Sequence, residues 1–139
     1  MPHELTGEQT RRRKWRGKYA ELKLVHLLKS LEYNAQRSTM SGLGRNMPDV
    51  FATKETVLCA FEVKAARTNY AKIAHSQIVK IREFLDFFGL YPHCVGVLAV
   101  TFPYQGWIFH QLKGRDWVRA FLKFARKDDS DWDPKQPLS

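Results

Sequence analysis

Cysteine is scarce in this chain, which has only two cysteines, Cys59 and Cys94, among its 139 residues. Each lies inside an apolar, strand-like run, and neither has a second cysteine or a histidine at the spacing of a zinc finger. The sequence therefore offers neither a disulfide framework nor a cysteine-based zinc module. We expect two buried, reduced thiols.

Long apolar runs and glycine-rich phosphate loops are also missing. No run approaches the roughly eighteen apolar residues of a transmembrane helix, and the first ten residues are polar, without the apolar centre of a signal peptide. No Gly-x-Gly-x-x-Gly or Walker-type segment occurs, so no nucleotide cofactor is indicated. We expect an intracellular, cytoplasmic protein with no membrane association.

Acidic residues are outnumbered by basic ones. The chain has 14 Asp and Glu against 23 Lys and Arg, a formal net charge of +9 and a pI near 9.8. Such an excess in a compact domain is typical of proteins that bind nucleic acid, although a merely solvated positive surface is the alternative. A basic cluster with one tryptophan covers residues 11–18 and is either a phosphate contact or a solvated helix start.

The length and the apolar patterning indicate one folded domain with an α/β fold. At 44% hydrophobic residues the chain can form a core without disulfides or a structural metal. Apolar periodicity predicts helices over about 17–32, 74–88 and 115–126, and strands over 34–38, 47–51, 57–64, 94–100 and 107–110. This order is typical of a central mixed β-sheet flanked by helices. We expect a flexible basic leader over 1–14, a single domain over 15–126 and an acidic, loosely ordered tail over 127–139.

One predicted hairpin carries the residues with the clearest chemistry. Its first strand opens with Asp49, and its second closes with Glu62-Val63-Lys64. Because strand side chains alternate between faces, Glu62 and Lys64 must project to the same side, and simple antiparallel pairing brings Asp49 beside them. Two carboxylates and an ammonium group at a sheet edge can bind a hard divalent cation and activate water. A solvated ion pair after an ordinary turn is the alternative.

Two helical residues and one loop extend this candidate site. Glu21 lies along the apolar stripe of the first helix, where it either delivers a third carboxylate or reaches solvent at the edge of the stripe, with Lys18 as a possible partner. Gln77 in the second helix also points towards the core side. Residues 39–46 lie just before Asp49 and form either a plain connection or a mobile contact surface for nucleic acid.

Together these residues resemble a known family. Pro48-Asp49, twelve further residues and Glu62-Val63-Lys64 resemble the signature of the PD-(D/E)xK nuclease superfamily. A wider series resembles the archaeal Holliday junction resolvases over about residues 15–112: Arg16-Gly17 before the helix that bears Glu21, then Arg37-Ser38, Ser41-Gly42, Pro48-Asp49, Glu62-Val63-Lys64, Gln77 and Gly106-Trp107. The resemblance implies a three-layer, restriction-endonuclease-like fold. The arginine-rich leader and the segment beyond about residue 113 exceed the compact resolvase core.

The resemblance also implies an activity and a set of roles. It implies a Mg²⁺-dependent endodeoxyribonuclease, with Mn²⁺ as a substitute, that works as a homodimer and resolves four-way DNA junctions by paired cleavage. The implied metal ligands are Glu21, Asp49, Glu62 and the backbone carbonyl of Val63. Lys64 would orient water and stabilise charge on the phosphate, with Ser38 and Gln77 supporting the geometry. The basic residues that we expect to contact phosphates are Arg16, Lys18, Arg37, Arg45, Arg67 and Lys72.

Two other functions are compatible with the sequence. The chain could be another PD-(D/E)xK endonuclease, of the restriction or repair type, which would differ in the loop at 39–46 and in dimer geometry. It could also be a non-catalytic DNA-binding module. Glu21, Asp49 and Glu62 argue against the module, because three acids repel DNA unless a cation neutralises them.

Overall fold

The computed structural model of the protein describes residues 6–38 and 47–138. Its elements in chain order are helix α1 (Gly7–Ser30), strands β1 (Asn34–Arg37), β2 (Val50–Lys54), β3 (Val57–Ala65) and β4 (Tyr70–Ala74), helix α2 (His75–Phe87), strands β5 (His93–Thr101) and β6 (Trp107–Gln111), a 3₁₀ turn (Gly114–Val118) and strand β7 (Phe121–Ala125). Within these residues, no helix combines the length and the hydrophobicity that crossing a membrane requires.

Within the described ranges, the central sheet has five strands in the order β1-β2-β3-β5-β6. β3 and β5 run parallel, and the other neighbouring pairs are antiparallel. α2 lies between β3 and β5 in sequence, because parallel neighbours need a crossover connection. β3 and β5 occupy the middle of the sheet, which explains their continuous apolar runs. The predicted class, an α/β fold with a central mixed sheet flanked by helices, is confirmed.

Alternate side chains of β3 enter two different cores, one on each face of the sheet. Phe61 lies in the core under α1 together with Leu24, and Leu58 lies in the core under α2 together with Ile78. All four side chains are at most 2% exposed. Burial of apolar surface on both faces, at roughly 25 cal/mol per Å², holds the three layers together. The ends of β3 and β5 are therefore a rigid support for side chains.

The prediction of a helix over 115–126 is wrong. The 3₁₀ turn ends at Val118, and Arg119 is extended, with φ −72° and ψ 145°. β7 then pairs antiparallel with β4, so that Lys72 lies opposite Lys123 in a separate two-stranded sheet. The apolar residues of this segment have a helical spacing, but a partner strand that is distant in sequence draws the chain into an extended conformation.

The N-terminal segment is helical for longer than the sequence pattern predicts. α1 begins at Gly7, whereas the apolar stripe predicts a start near residue 17. Thr6 caps the helix, because its Oγ1 accepts the backbone N–H of Gln9 at 3.1 Å and the Gln9 side chain accepts the N–H of Thr6 at 2.9 Å. Residues 7–14 of the predicted flexible leader are thus part of α1.

The acidic tail packs against the sheet, contrary to the prediction of a loosely ordered segment. Trp132 is only 4% exposed and makes edge-to-face contacts with Phe61 and Phe109, with ring centroids 5.7 and 5.6 Å apart. The hydroxyl of Tyr33 donates to the carbonyl oxygen of Pro134 at 2.7 Å. Trp132 and the buried Pro134 dock a segment whose other residues are mostly polar.

The two cysteines differ in their environment. Cys59 is buried as predicted, and burial raises the pKa of its thiol to about 12. Cys94 is exposed, so the prediction of a second buried thiol is wrong. It lies at the start of β5, before the strand enters the core.

Candidate active site

The pairing of β2 with β3 brings the first carboxylate to the end of β3. Asp49 immediately precedes β2, and the register of the pair places it beside Glu62, as the hairpin predicts. The backbone N–H of Val63 donates to Oδ2 of Asp49 at 2.9 Å. The backbone N–H of Ser38 donates to the carbonyl oxygen of Asp49 at 3.0 Å. Both the side chain and the backbone of Asp49 are therefore held in place.

Glu62 is a buried acid without full hydrogen-bonding. It is 3% exposed, and its Oε1 atom has no hydrogen-bond partner among the residues that the structure describes. Burial raises the pKa of Glu62 to about 9, the charge of Asp49 adds to the increase, and the charge of Lys80 opposes it. An unpaired buried carboxylate is unfavourable by roughly several kcal/mol. A proton or a bound cation therefore stabilises this position.

The third carboxylate comes from α1. Oε1 of Glu21 lies 3.3 Å from Nε of Arg37, and the two side chains are 18% and 20% exposed. Burial raises the pKa of Glu21, as does the charge of Asp49, while Arg37 lowers it. Glu21 is thus a partly buried acid near the other two, held by an arginine from β1.

A cavity of about 550 Å³ opens at the end of β3, where these acids meet. The predicted site residues in its lining are Arg16, Glu21, Asp49, Glu62, Val63, Lys64, Arg67, Lys72 and Gln77. Glu62 and Lys64 share this cavity, as strand alternation predicts. Gln77 lies in the first turn of α2, where its Oε1 atom accepts the N–H of Ala74 at 3.3 Å.

Three of the described site residues, Arg37, Ser38 and Lys18, are not part of the cavity lining. Arg37 contacts Glu21 instead of facing the cavity. Ser38 supports Asp49 through its backbone. Lys18 is exposed on α1. Arg45 lies outside the described residues, as do the other residues of the loop at 39–46.

Lys80 is a cavity residue that was not among the site residues predicted from the sequence. It lines the cavity, and its charge lowers the pKa of Glu62. Lys80 follows Gln77 by three residues and so lies on the same face of α2. That spacing is the signal from which it could have been found.

The donor set suits a hard cation but is not a closed cage. Across residues 6–38 and 47–138, no three His, Cys, Asp or Glu side chains form a ready-made metal-binding group. Asp49 and Glu62 supply adjacent carboxylate oxygens, the ligand type that Mg²⁺ and Mn²⁺ prefer. The Oε1 atom of Glu62, buried and without a hydrogen-bond partner in the part of the chain that the structure describes, fits a cation ligand. The residues present therefore fit a divalent cation whose remaining ligands are water or substrate.

The chain is similar in sequence to proteins of a known family. Residues 12–126 match the family described as archaeal Holliday junction resolvase (Hjc). The chain is 38% identical over 87 residues to the crossover junction endodeoxyribonuclease Hje of Saccharolobus islandicus REY15A, covering 62% of this chain and 63% of that protein. It is 33% identical over 110 residues to the crossover junction endodeoxyribonuclease of Sulfolobus islandicus rod-shaped virus 1, covering 78% of this chain and 90% of that protein.

The coverage of the Hje relatives is partial. The match covers 63% of the Saccharolobus islandicus protein and 52% of the Sulfolobus acidocaldarius Hje, in each case less than two thirds. The fold is similar to that of Archaeoglobus fulgidus Hjc, a Holliday junction resolvase, with a TM-score of 0.63, 20% sequence identity and coverage of 79% of this chain and 84% of that one.

Proposed function

This chain belongs to the archaeal Holliday junction resolvase family, and we propose on that basis that it is a structure-selective endodeoxyribonuclease. It would resolve four-way DNA junctions by paired phosphodiester cleavage in the cytoplasm. The observation that carries the proposal is Glu62, buried beside Asp49 with an oxygen that has no hydrogen-bond partner among the described residues, in a cavity lined by basic side chains. Acids at the centre and cations around them suit a phosphate that approaches together with a divalent cation.

The proposed cofactor is Mg²⁺, with Mn²⁺ as a substitute. Asp49, Glu62 and the backbone carbonyl of Val63 would hold it, and Glu21 would complete the ligand set. When bound, the cation would polarise the scissile phosphate and make water a better nucleophile. The backbone N–H of Val63 fixes Asp49 for this role.

The basic residues of the cavity would bind and orient the substrate. Lys64 stands nearest in sequence to the acids, and its ammonium group would orient the attacking water and stabilise negative charge that develops on the phosphate. Arg16, Arg67 and Lys72 also line the cavity and would hold neighbouring phosphates. Gln77, fixed at the start of α2, would support the wall of the site.

The proposed assembly is a homodimer, since paired cuts on two strands require two active sites related by a two-fold axis. Its support is an exposed apolar surface at the end of α2. Phe87 is 82% exposed, Phe88 40% and Leu90 100%. A surface of this kind suits burial against a second copy of the chain.

A nicking assay on a labelled four-way junction and on matched linear duplex tests the function, with each substrate in Mg²⁺ and in EDTA. We expect paired cuts on the junction in Mg²⁺ alone. Glu62→Gln should slow cleavage by a factor on the order of 10² or more, because it removes a charge from the reacting site, and should leave junction binding intact. Glu55→Gln, the same change at an exposed turn residue, is the control.

Other outcomes lead to different functions. Equal cutting of junction and duplex would make the protein a general endonuclease. Tight binding without cutting of either substrate would make it a binding module. Full activity of Glu62→Gln would refute the site assignment.

A further inference from the structure

A second cleft, of about 660 Å³, opens beside the catalytic cavity at the end of β5. The linings of the two spaces share Arg16, Ala65, Ala66 and Arg67. β3 and β5 are parallel neighbours, with Ala65 opposite Thr101, so the ends of adjacent strands place the two openings side by side. A DNA strand bound in the cavity can continue into the cleft without leaving the protein surface.

The walls of the cleft combine cationic and aromatic side chains. Lys23 joins Arg16 and Arg67 as a third cation, and among the described residues that line the cleft there is no acid. Tyr19 is 62% exposed and Tyr104 fully exposed. Proteins hold unpaired nucleotides with this combination, because bases stack on exposed rings while cations contact the phosphates.

Tyr104 occupies a backbone position that disfavours it. The N–H of Gln105 donates to the carbonyl oxygen of Phe102 at 3.2 Å and closes a four-residue turn with Pro103 in the second position. Tyr104, in the third position, has φ 60°, a conformation that suits glycine. A bulky residue there is strained. Because the ring is fully exposed, burial of apolar surface does not offset the strain.

The turn that carries Tyr104 is braced by Arg126, the residue that follows β7. Nη2 of Arg126 donates to the carbonyl oxygen of Pro103. Nε2 of Gln105 donates in return to the carbonyl oxygen of Arg126 at 2.8 Å. The ring is therefore presented on a fixed support, and little ordering would be needed when a ligand binds.

We propose that this cleft binds one unpaired nucleotide of the cleaved DNA strand, with its base stacked on Tyr104 and its phosphates on the cations of the wall. The inference rests on the proposed function. In a four-way junction, a base beside the cut can leave the duplex stack at the point where the strands exchange. In linear duplex the bases are paired and stacked, so the cleft also favours junctions over plain DNA.

A matched pair of glycine variants separates this role from a structural one. Glu55, in the turn between β2 and β3, is also exposed and has φ 53°, and it lies at the opposite end of the hairpin from Asp49. Tyr104→Gly and Glu55→Gly release the same kind of strain, so both should raise the melting temperature. Only Tyr104→Gly should weaken junction binding and slow cleavage, by about tenfold, the typical effect of losing one base-stacking contact.

Junctions with a single abasic nucleotide complete the test. The abasic site is placed at successive positions on both sides of the cleaved phosphate, and affinity is measured in EDTA, cleavage in Mg²⁺. At one abasic position, Tyr104→Gly should cause no further loss of affinity or cleavage rate, because the base that the ring contacts is already absent. Tyr104→Phe, which retains the ring, should recover the activity that the glycine variant loses.

Three results would overturn the proposal: unchanged affinity and rate in Tyr104→Gly, a loss of the same size on every abasic junction, or a lower melting temperature of Tyr104→Gly. Wild-type protein that binds junctions but never cuts them would refute the proposed function. The affinity measurements in EDTA would still decide whether the cleft holds a base.

Discussion

The fold opposes a negative charge on Glu62. Burial and Asp49 raise its pKa to about 9 from an ordinary value of 4.5, and Lys80 offsets only part of the increase. Such an acid holds its proton until a cation replaces it. Metal affinity at this position should therefore increase with pH, because each proton that is lost frees a ligand.

The free energy of unfolding should depend on pH through Glu62. The folded protein keeps the Glu62 proton over a range in which the unfolded chain has lost it, so this contribution is complete below about pH 4.5 and is lost as pH rises towards 9. In metal-free buffer the loss should be on the order of a few kcal/mol. Urea unfolding of wild type and Glu62→Gln between about pH 5 and pH 9 measures it.

The variant supplies the contrast in that experiment. Glu62→Gln has no proton to lose, so its free energy of unfolding should fall less over the same range, while Glu55→Gln should follow the wild type. Parallel pH profiles for wild type and Glu62→Gln would contradict the burial of an ionisable group at this position.

At the scale of elements, β5 packs closely against α2 and the 3₁₀ turn at one glycine. A Cβ atom on Gly96 would lie 2.8 Å from Cγ2 of Ile81 and 2.8 Å from Cη2 of Trp117. Gly96→Ala should lower the free energy of unfolding by about 1–3 kcal/mol, because the core must move to admit a methyl group. Gly106→Ala is the control, since no atom of residues 6–38 or 47–138 lies within 4 Å of its added Cβ. Equal denaturation midpoints for the two variants would contradict the close packing.

The C-terminal tail contributes one aromatic side chain to the core. Trp132 is 4% exposed and contacts Phe61, a fully buried residue of β3. Trp132→Ala should lower the free energy of unfolding by about 3–5 kcal/mol. Leu138→Ala, at a residue that is 54% exposed, should change it little. If the tail were loosely ordered in solution, Trp132→Ala and Leu138→Ala would both change the melting temperature little.

The sequence predicts those elements whose determinants are local. The turn between β2 and β3 and the alternation along β3 place Asp49, Glu62 and Lys64 together, because a hairpin register follows from nearby residues. β4 and β7 were missed, since each is stabilised by pairing with a strand far away in the chain. Arg37 was predicted to contact phosphate, but its ion pair with Glu21 depends on how α1 lies against β1, which no local pattern specifies.

At the scale of the whole molecule, part of the net charge of +9 is concentrated around the cavity and the adjoining cleft. The basic residues that line the cavity or the cleft include Arg16, Lys23, Lys64, Arg67, Lys72 and Lys80. The acids lie inside the cavity, where a cation would neutralise them. The surface that we propose faces DNA is therefore positive when metal is bound.

Junction affinity should fall steeply with salt. Each phosphate contact with duplex releases about 0.9 counterions, so one contact from each of these six basic residues predicts a slope of about −5.4 in a plot of log affinity against log salt concentration. Lys72→Gln should make the slope less steep by about one. Fluorescence anisotropy of a labelled junction across a salt series measures both. A flat profile would contradict binding through the basic surface.

The parallel pairing of β3 with β5 fixes the distance between the ends of these two strands. Adjacent strands lie about 4.8 Å apart, a spacing set by backbone hydrogen bonds and independent of side chains. The acids stand at the end of one strand and the turn of Tyr104 follows the end of the next. In the mechanism proposed, the fold therefore fixes the distance between the nucleotide bound in the cleft and the phosphate that is cut. This distance should be the same in every junction, whatever its sequence.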